Sequence, residues 1–341
     1  MRILVDKEIP GIVATLTQLG ECELYDSDTL SPDSLLGPEV LVVRSVLQVN
    51  RALLEHSTIK VVASVTSGID HIDLQDCQEL GITLYYAHGA NARAVGQYAL
   101  SALLQAAEIT SLQPKTIGII GVGYTGSALV QLLSPFALEL ILYDPYKDLQ
   151  ATVTDVIKSD VIVLMACLHD SEPWPSRNSI TQDFLEQCKS NTIIINTARS
   201  ELLSDQAINF LLASRDHYYI TDVYKNEPNV ATQIITKSLF ATPHIAGYSL
   251  NAKAQLNTLV LRQLFNHYKT EPLTDQLTET KTATSNLPSN IFYSSDNIMF
   301  TKQYLSFTSL HATMLALCHQ SNHATVSIKE VRKSYPLRDE W

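Results

Sequence analysis

Arg199, Glu227 and His244 are the side chains in this sequence whose types and placement best suit acid–base chemistry. Arg199 lies in I-I-I-N-T-A-R-S, Glu227 in T-D-V-Y-K-N-E-P and His244 in T-P-H-I-A-G-Y. Each of the three residues follows a short apolar stretch that predicts a strand. Ligands of open α/β sheets bind outside the carboxyl ends of the strands, so we expect the three side chains to converge there. An arginine can grip a carboxylate through two hydrogen bonds, and an imidazole can take a proton from a hydroxyl.

This combination suits a substrate with a hydroxyl group on the carbon next to a carboxylate. Arg199 would hold the carboxylate and polarise the neighbouring oxygen, and His244 would take the hydroxyl proton as a hydride leaves. Glu227 would orient the imidazole and stabilise its protonated form. Taken singly, the three have commoner explanations as a surface arginine, a solvated glutamate and a helix-capping histidine. Their occurrence together, after a nucleotide-binding motif, favours the chemical interpretation.

The nucleotide-binding motif is G-x-G-x-x-G, formed by Gly121, Gly123 and Gly126 between an apolar strand pattern and a helical pattern. The first glycine permits the tight turn, the second lets backbone approach a pyrophosphate, and the third lets helix and strand pack closely. Asp144 ends the next predicted strand, where its carboxylate can accept both ribose hydroxyls and would repel a 2′-phosphate. The motif therefore predicts NAD rather than NADP, against the weaker alternative of a glycine turn in an unrelated α/β protein. The predicted cofactor-binding residues of the motif are Gly121, Gly123, Tyr124, Thr125 and Gly126.

Short β-branched runs alternate with helical patterns along the chain, which is typical of parallel sheets covered on both faces. We predict an α/β fold with two doubly wound parallel-sheet domains, a flavodoxin-like substrate domain and a Rossmann NAD domain, plus a small α+β C-terminal region. The predicted strands are R-I-L-V, E-V-L-V-V, I-K-V-V-A-S-V, T-I-G-I-I, L-I-L-Y, V-I-V-L-M, T-I-I-I-N and H-Y-Y-I-T.

The glycine motif begins only after a first α/β segment, so the dinucleotide domain is expected to be inserted into the substrate domain. Helical patterns from Asn91 and from Asn251 would be the two crossings. The predicted substrate domain comprises residues 1–92 and 251–270, and the predicted NAD domain residues 93–250. A Thr-, Ser- and Pro-containing linker at 271–290 and a shortened C-terminal dimerisation region at 291–341 would follow.

Composition excludes several classes of function. The formal net charge is −11 at pH 7, which argues against broad nucleic-acid or anionic-membrane binding. Five scattered cysteines without C-x-x-C spacing predict reduced thiols, a cytoplasmic protein and no metal site. The amino terminus does not resemble a signal peptide, and no apolar run reaches the length of a membrane helix.

Longer stretches resemble the D-isomer-specific 2-hydroxyacid dehydrogenase superfamily and, within it, the erythronate-4-phosphate dehydrogenase family. They are I-L-V-D-K-E-I-P, V-V-R-S-V-L-Q-V-N, S-V-T-S-G-I-D-H-I-D, G-I-I-G-V-G, T-P-H-I-A-G-Y-S and V-R-K-S-Y-P-L-R-D-E-W. The resemblance implies NAD-dependent oxidation of 4-phospho-D-erythronate to (R)-3-hydroxy-2-oxo-4-phosphooxybutanoate, in bacterial pyridoxal 5′-phosphate synthesis. It also implies a homodimer. The apolar C-terminal residues favouring a dimer are Tyr304, Leu305, Phe307, Leu310, Met314 and Leu317.

The same resemblance assigns roles to individual residues. Arg199, Glu227 and His244 would be the catalytic residues. The implied substrate contacts are Ser45, Thr66 and Tyr248, and the further implied NAD contacts are Asp144, Asp222 and Gly247. Asp70 and His71 are interpreted as structural. Arg44, beside Ser45, is a candidate for binding the substrate phosphate.

Several positions depart from the family pattern. The departures are Leu47 and Gln48 near the presumed substrate site, Gln97, Ala166 at an expected NAD-contacting threonine, and Ser200. The C-terminal region stops at Trp341, as a shortened dimerisation region or a truncated sequence would. Two alternatives therefore stay open: a dehydrogenase of the phosphoglycerate or hydroxypyruvate type, and a non-catalytic NAD-binding protein such as a corepressor.

Overall fold

The computed structural model describes residues 1–270, 287, 292–321 and 323–341. The predicted linker at 271–290 therefore lies outside the described residues, apart from Leu287. The chain forms two compact units. The first contains residues 1–91 and the described residues from 251 to 270, and the second contains residues 92–250 and the described residues from 287 onward.

The first unit is built on a five-stranded, all-parallel sheet in the order β2-β1-β3-β4-β5. This is the flavodoxin-like order that the sequence predicted. Its strands are β1 (Arg2–Asp6), β2 (Glu21–Tyr25), β3 (Val40–Val43), β4 (Val61–Ser64) and β5 (Thr83–Tyr86). The sequence analysis missed β2 and β5. Both are edge strands whose side chains are largely half-buried or exposed, so neither carries the continuous apolar run of a central strand.

Helices cover both faces of this sheet. One face packs on Val260, Leu264 and Phe265 of the long helix α10, and the opposite face packs on Leu53, Leu54 and other apolar side chains. The helices are α1 (Val13–Leu16), α2 (Arg51–Leu54), α3 (Leu74–Glu79) and α10 (Leu250–His267).

The second unit has a six-stranded, all-parallel sheet in the order β12-β10-β9-β8-β6-β7. Its strands are β6 (Thr116–Ile120), β7 (Glu139–Tyr143), β8 (Val161–Leu164), β9 (Thr192–Asn196), β10 (His217–Thr221) and β12 (Phe240–Ala241). Alternate residues feed two cores: Ile193 and Ile195 of β9 enter one, and Ile194 enters the other. The strand order reverses between β6 and β8, which is where such sheets bind nucleotides.

The helices of the second unit pack on these two faces and at the end of the sheet. They are α4 (Ala92–Thr110), α5 (Tyr124–Leu133), α6 (Val153–Val156), α7 (Gln182–Glu186), α8 (Asp205–Ala213), α9 (Thr232–Lys237), α11 (Ser295–Tyr304), α12 (Phe307–Gln320) and α13 (Lys329–Ser334). No helix in the described ranges combines the length and apolar content that a membrane crossing requires.

The C-terminal segment, which we define as residues 292–341, packs into the second unit rather than standing apart from it. Gln105 of α4 donates from Nε2 to the Leu305 carbonyl at 2.8 Å, and its Oε1 accepts from the Phe307 N–H at 3.0 Å. In the edge strand β12, the Ala241 N–H donates to His311 Nδ1 at 3.0 Å. A two-stranded antiparallel ladder also joins β11 (Asn229–Ala231) to β13 (Thr325–Ser327).

Candidate active site

His244 and Glu227 form a hydrogen-bonded pair in the second unit. The distance from His244 Nδ1 to Glu227 Oε2 is 2.7 Å, and Glu227 Oε1 accepts from the Tyr224 N–H at 3.0 Å. The side chains are 31% and 20% exposed, so the pair is sheltered but reachable. Because the carboxylate holds Nδ1, Nε2 is the ring nitrogen that remains to exchange a proton with a substrate.

The turn that carries His244 is held from beneath by a buried carboxylate. Asp222 is fully buried, and its Oδ1 accepts from Thr242 Oγ1 at 2.6 Å and from the Ile245 N–H at 2.8 Å. Its Oδ2 accepts from the Ala246 N–H at 2.7 Å. His244 itself has φ +58°, a left-handed backbone conformation that is uncommon for non-glycine residues. Burial raises the pKa of Asp222 above its ordinary value.

The carboxyl of Glu227 favours its charged form. Burial works against ionisation, but the hydrogen bond and charge of His244, the Tyr224 N–H and the Arg332 guanidinium lower the pKa of Glu227 below its ordinary value. The pair thus presents an ionised carboxylate to the imidazole, as a histidine base requires.

Arg199 lies three residues beyond the end of β9. Asn196, the last residue of that strand, accepts from the Ala198 N–H at 3.1 Å and donates to the Arg199 carbonyl at 3.0 Å, which holds the turn. The half-buried Arg199 side chain donates from Nη1 to the Ala198 carbonyl at 2.7 Å. Strands β9, β10 and β12 are parallel neighbours, so the segments bearing Arg199, Glu227 and His244 leave the sheet at the same edge.

The glycine loop fits a dinucleotide. Gly121 has φ +90°, and a Cβ there would lie 2.4 Å from Ala166 Cα. A Cβ on Gly126 would lie 2.1 Å from the Gly121 carbonyl oxygen, whereas one on Gly123 would meet no atom within 4 Å. Only a glycine fits the first and third positions, and the second leaves backbone open to a ligand at the start of α5.

Asp144 follows β7 directly and lies against this loop. Its Oδ2 accepts from the Val122 N–H at 3.0 Å and its Oδ1 from the Tyr146 N–H at 3.2 Å. A carboxylate has further lone pairs on both oxygens, so these two bonds leave it able to accept ribose hydroxyls. Tyr124 is largely exposed and Thr125 half-buried in the first turn of α5.

In the first unit, Ser45 and Thr66 follow the adjacent strands β3 and β4. Ser45 is exposed, and the Thr66 hydroxyl lies 2.6 Å from Ser64 Oγ, which in turn lies 3.1 Å from His71 Nε2. His71 thus supports Thr66 through a buried serine, which agrees with its structural interpretation.

Two neighbours of Ser45 bear on the substrate. Arg44 Nε lies 2.9 Å from Asp6 Oδ2 without the alignment of a hydrogen bond, so the contact is an ion pair. Leu47, which departs from the family pattern, is buried in the core of the first unit and packs there. Gln48 is exposed.

Residues that the sequence analysis did not single out hold the far side of the His244 turn. Arg338 is buried and donates to the carbonyls of Ile245, Ala246, Tyr248 and Ala94. The Arg332 guanidinium lies 5.0 Å from the centre of the Tyr248 ring. Both arginines lie in the quoted stretch near residue 341, but nothing in its composition or spacing indicates what they contact.

Comparison with known proteins identifies the family. The model of the family "D-isomer specific 2-hydroxyacid dehydrogenase, NAD binding domain" matches residues 88–246. The erythronate-4-phosphate dehydrogenase of Legionella pneumophila (strain Lens) is 37% identical over 270 residues, covering 77% of each chain. The chain belongs to the erythronate-4-phosphate dehydrogenase family. The erythronate-4-phosphate dehydrogenase of Shewanella oneidensis is 35% identical to this chain over 275 residues, covering 77% of this chain and 73% of that one.

Membership of the erythronate-4-phosphate dehydrogenase family makes the protein an NAD-dependent 2-hydroxyacid dehydrogenase, so the predictions of family, enzyme class and cofactor are confirmed. Solved structures agree on the fold. The cofactor-bound 3-phosphoglycerate dehydrogenase of Entamoeba histolytica aligns with a TM-score of 0.66 at 19% identity, covering 79% of this chain and 95% of that chain. The formate dehydrogenase of Staphylococcus aureus in complex with NAD aligns with a TM-score of 0.65 at 22% identity, covering 81% and 98%.

Proposed function

We propose that the protein oxidises 4-phospho-D-erythronate at C2 to (R)-3-hydroxy-2-oxo-4-phosphooxybutanoate, as a step in pyridoxal 5′-phosphate biosynthesis. The names of relatives at 33–37% identity support this substrate. The observation that carries the chemistry is the 2.7 Å hydrogen bond between His244 and Glu227, on a turn fixed by Asp222.

His244 is proposed as the general base. Its Nε2 takes the proton of the C2 hydroxyl while the C2–H bond breaks, and the two electrons of the O–H bond form the carbonyl. Glu227 keeps Nδ1 protonated and stabilises the imidazolium that results. Arg199 holds the substrate carboxylate through its guanidinium. NAD, held by the glycine loop, would supply the acceptor for the hydride that leaves C2.

The remaining assignments also stay proposals. Ser45, Thr66 and Tyr248 are proposed to contact the substrate through their hydroxyl groups. The residues proposed to hold NAD are Gly121, Gly123, Tyr124, Thr125, Gly126, Asp144, Asp222 and Gly247. Among these, both carboxylate oxygens of Asp222 already bond the turn, which supports a role in shaping the site beside the cofactor.

A homodimer in the cytoplasm is proposed on the family resemblance and the absence of a cysteine framework in the sequence. The apolar C-terminal residues support the dimer less than expected, because Leu305, Phe307 and Met314 are buried within the same chain. Sedimentation equilibrium would test the proposal: a single species at the mass of one chain across micromolar concentrations would overturn it.

The substrate is tested by a single turnover monitored through NADH absorbance. Protein and NAD are mixed with 4-phospho-D-erythronate and, separately, with 3-phosphoglycerate and with glycerate. A 2-oxo acid acceptor is included in parallel runs, in case NADH stays bound. We expect NADH with 4-phospho-D-erythronate alone.

His244→Ala tests the base in the same assay and should lower the rate by about 10²–10⁴-fold. Lys225→Ala, which removes a surface ion pair close to Glu227 in the chain, serves as the matched control. NADH formed from another acid would keep the mechanism and discard the substrate. A folded, NAD-binding protein that oxidises none of the acids would favour the non-catalytic alternative.

A further inference from the structure

Arg332 brings a positive charge to the Glu227–His244 pair from the C-terminal segment. It lies on α13, where its Nη1 is 3.8 Å from Glu227 Oε2. Its Nε is buried and has no hydrogen-bond acceptor in the described part of the chain. At 3.8 Å the guanidinium is too far for a hydrogen bond to Glu227 but close enough for a substantial charge interaction.

The polypeptide backbone holds α13 in this place. The ladder between β11 and β13 begins two residues after Glu227, pairing Asn229 with Ser327. The Ile328 N–H then donates to the Pro228 carbonyl at 2.9 Å, directly before α13. Main-chain hydrogen bonds therefore place α13, and with it Arg332, beside Glu227.

Arg332 and His244 contact the same carboxylate group. Glu227 Oε2 lies 2.7 Å from His244 Nδ1 and 3.8 Å from Arg332 Nη1, so the imidazole and the guanidinium share one carboxylate oxygen. We propose that Arg332 is a positioning residue for the proposed His244 base: it shares the charge of Glu227 and so keeps the imidazole deprotonated and ready at lower pH. This inference rests on the proposed function of the pair.

Other groups around the pair make that charge matter. Asp222, buried beneath the His244 turn, interacts electrostatically with His244, and burial opposes its ionisation. Tyr224 and Tyr248 are neutral neighbours, one through its N–H to Glu227 and the other under the Arg332 guanidinium. Arg338 is a second cation near the turn, bonded to the carbonyls of Ile245 and Ala246. Arg332 differs from it in lying against the Glu227 carboxylate itself.

The first measurement is the pH profile of kcat/KM for hydroxy-acid oxidation. Arg332→Met keeps the aliphatic stem and removes the charge, and should move the midpoint of the acidic limb upward by roughly 0.5–1 pH unit. Arg332→Lys, which retains the charge, should stay close to the parent. Lys333→Met, on the exposed face of the same helix, is the matched control and should leave the midpoint unchanged. A uniform loss at every pH with an unmoved midpoint would reveal a packing role only and overturn the proposal.

The second measurement needs no substrate. The ring of His244 is followed through a pH titration by NMR of histidine-labelled protein, with its signal among the ten histidines assigned by loss in His244→Asn. Arg332→Met should raise the titration midpoint by the same amount. Should Arg332→Met fold poorly, Arg332→Gln replaces it. An unchanged midpoint overturns the proposal. A raised midpoint in a protein that oxidises no tested acid would uphold Arg332 and reject the proposed substrate.

Discussion

At the scale of single residues, the site combines a strained backbone with an opposed set of charges. His244 is held at φ +58° by the buried Asp222, and Glu227 is kept ionised between the imidazole and Arg332. Strain of this kind persists only where the surroundings determine it, and it clusters at sites that must present one side chain in one direction. The orientation of the imidazole is therefore a property of the turn as much as of the histidine.

Glu227→Gln tests the carboxylate of the pair. Glutamine can still accept the Nδ1 hydrogen bond but no longer stabilises the imidazolium, so kcat/KM should fall by about 10²-fold. The midpoint of the acidic limb should move to lower pH, opposite to the shift expected for Arg332→Met, because a negative charge rather than a positive one is lost. A steady-state pH series of the two variants measures both directions. Shifts of the same sign would contradict this account of the charges.

At the scale of elements, parallel strands are tied together by side chains placed at their ends. Asp160, just before β8, accepts from the N–H groups of Lys115 and Thr116 at 2.8 and 3.0 Å and pairs with Lys189 at 2.7 Å. One carboxylate thereby joins the starts of β6 and β8 to the turn before β9.

Asp160→Asn should show how much this carboxylate stabilises the second unit. Burial opposes its ionisation, but Lys189 and the two N–H groups together lower the pKa of Asp160 from 3.8 to about 2. A lowered pKa contributes stability that is complete above the unfolded value and is lost as pH falls through the folded one. Near neutral pH, we expect the free energy of unfolding of the variant to be lower than that of the parent by up to about 2 kcal/mol. This difference should shrink as the pH drops below about 4.

Urea unfolding across that pH range measures the Asp160 effect. Asp170→Asn, which breaks an exposed ion pair with Arg177, is the control and should change little at any pH. A difference for Asp160→Asn that stayed constant down to the acid transition would show that charge is not the cause.

At the scale of the whole molecule, the C-terminal segment completes the second unit. It covers the edge strand β12, pairs with β11 and carries both Arg332 and Arg338 to the His244 turn. One of its anchors on α4 is Gln105, which is fully buried and bonded at both its amide atoms.

Gln105→Leu should loosen the C-terminal segment. The substitution keeps much of the volume but leaves the Leu305 carbonyl and the Phe307 N–H buried without partners, at a cost of about 2–4 kcal/mol. Thermal unfolding and limited proteolysis would show a lower Tm and earlier cleavage between residues 292 and 341. Glu108→Gln, which removes only the surface pair with Lys302, is the control on the same helix. Equal behaviour of the two variants would mean that Gln105 does not anchor the segment.

The class of fold and the NAD cofactor could be predicted from the sequence alone, and the hypothesis that His244 and Glu227 act together also came from the sequence. Central parallel strands are apolar on both faces, so they can be recognised in the sequence as continuous apolar runs. The glycine motif can be recognised because its glycines serve one turn within a few residues. The edge strands β2 and β5 escaped prediction, since a partly exposed strand carries no such run.

Tertiary structure alone decided what surrounds the pair. Asp222 was expected along the cofactor, and the fold shows that its carboxylate also fixes the His244 turn. Leu47 was expected near the substrate, and the fold turns its side chain into the core. Arg332 and Arg338 meet residues about a hundred positions away only because β13 and α13 fold back on the second unit. Periodicity reports which face of an element is buried, but not which distant charge will lie against it.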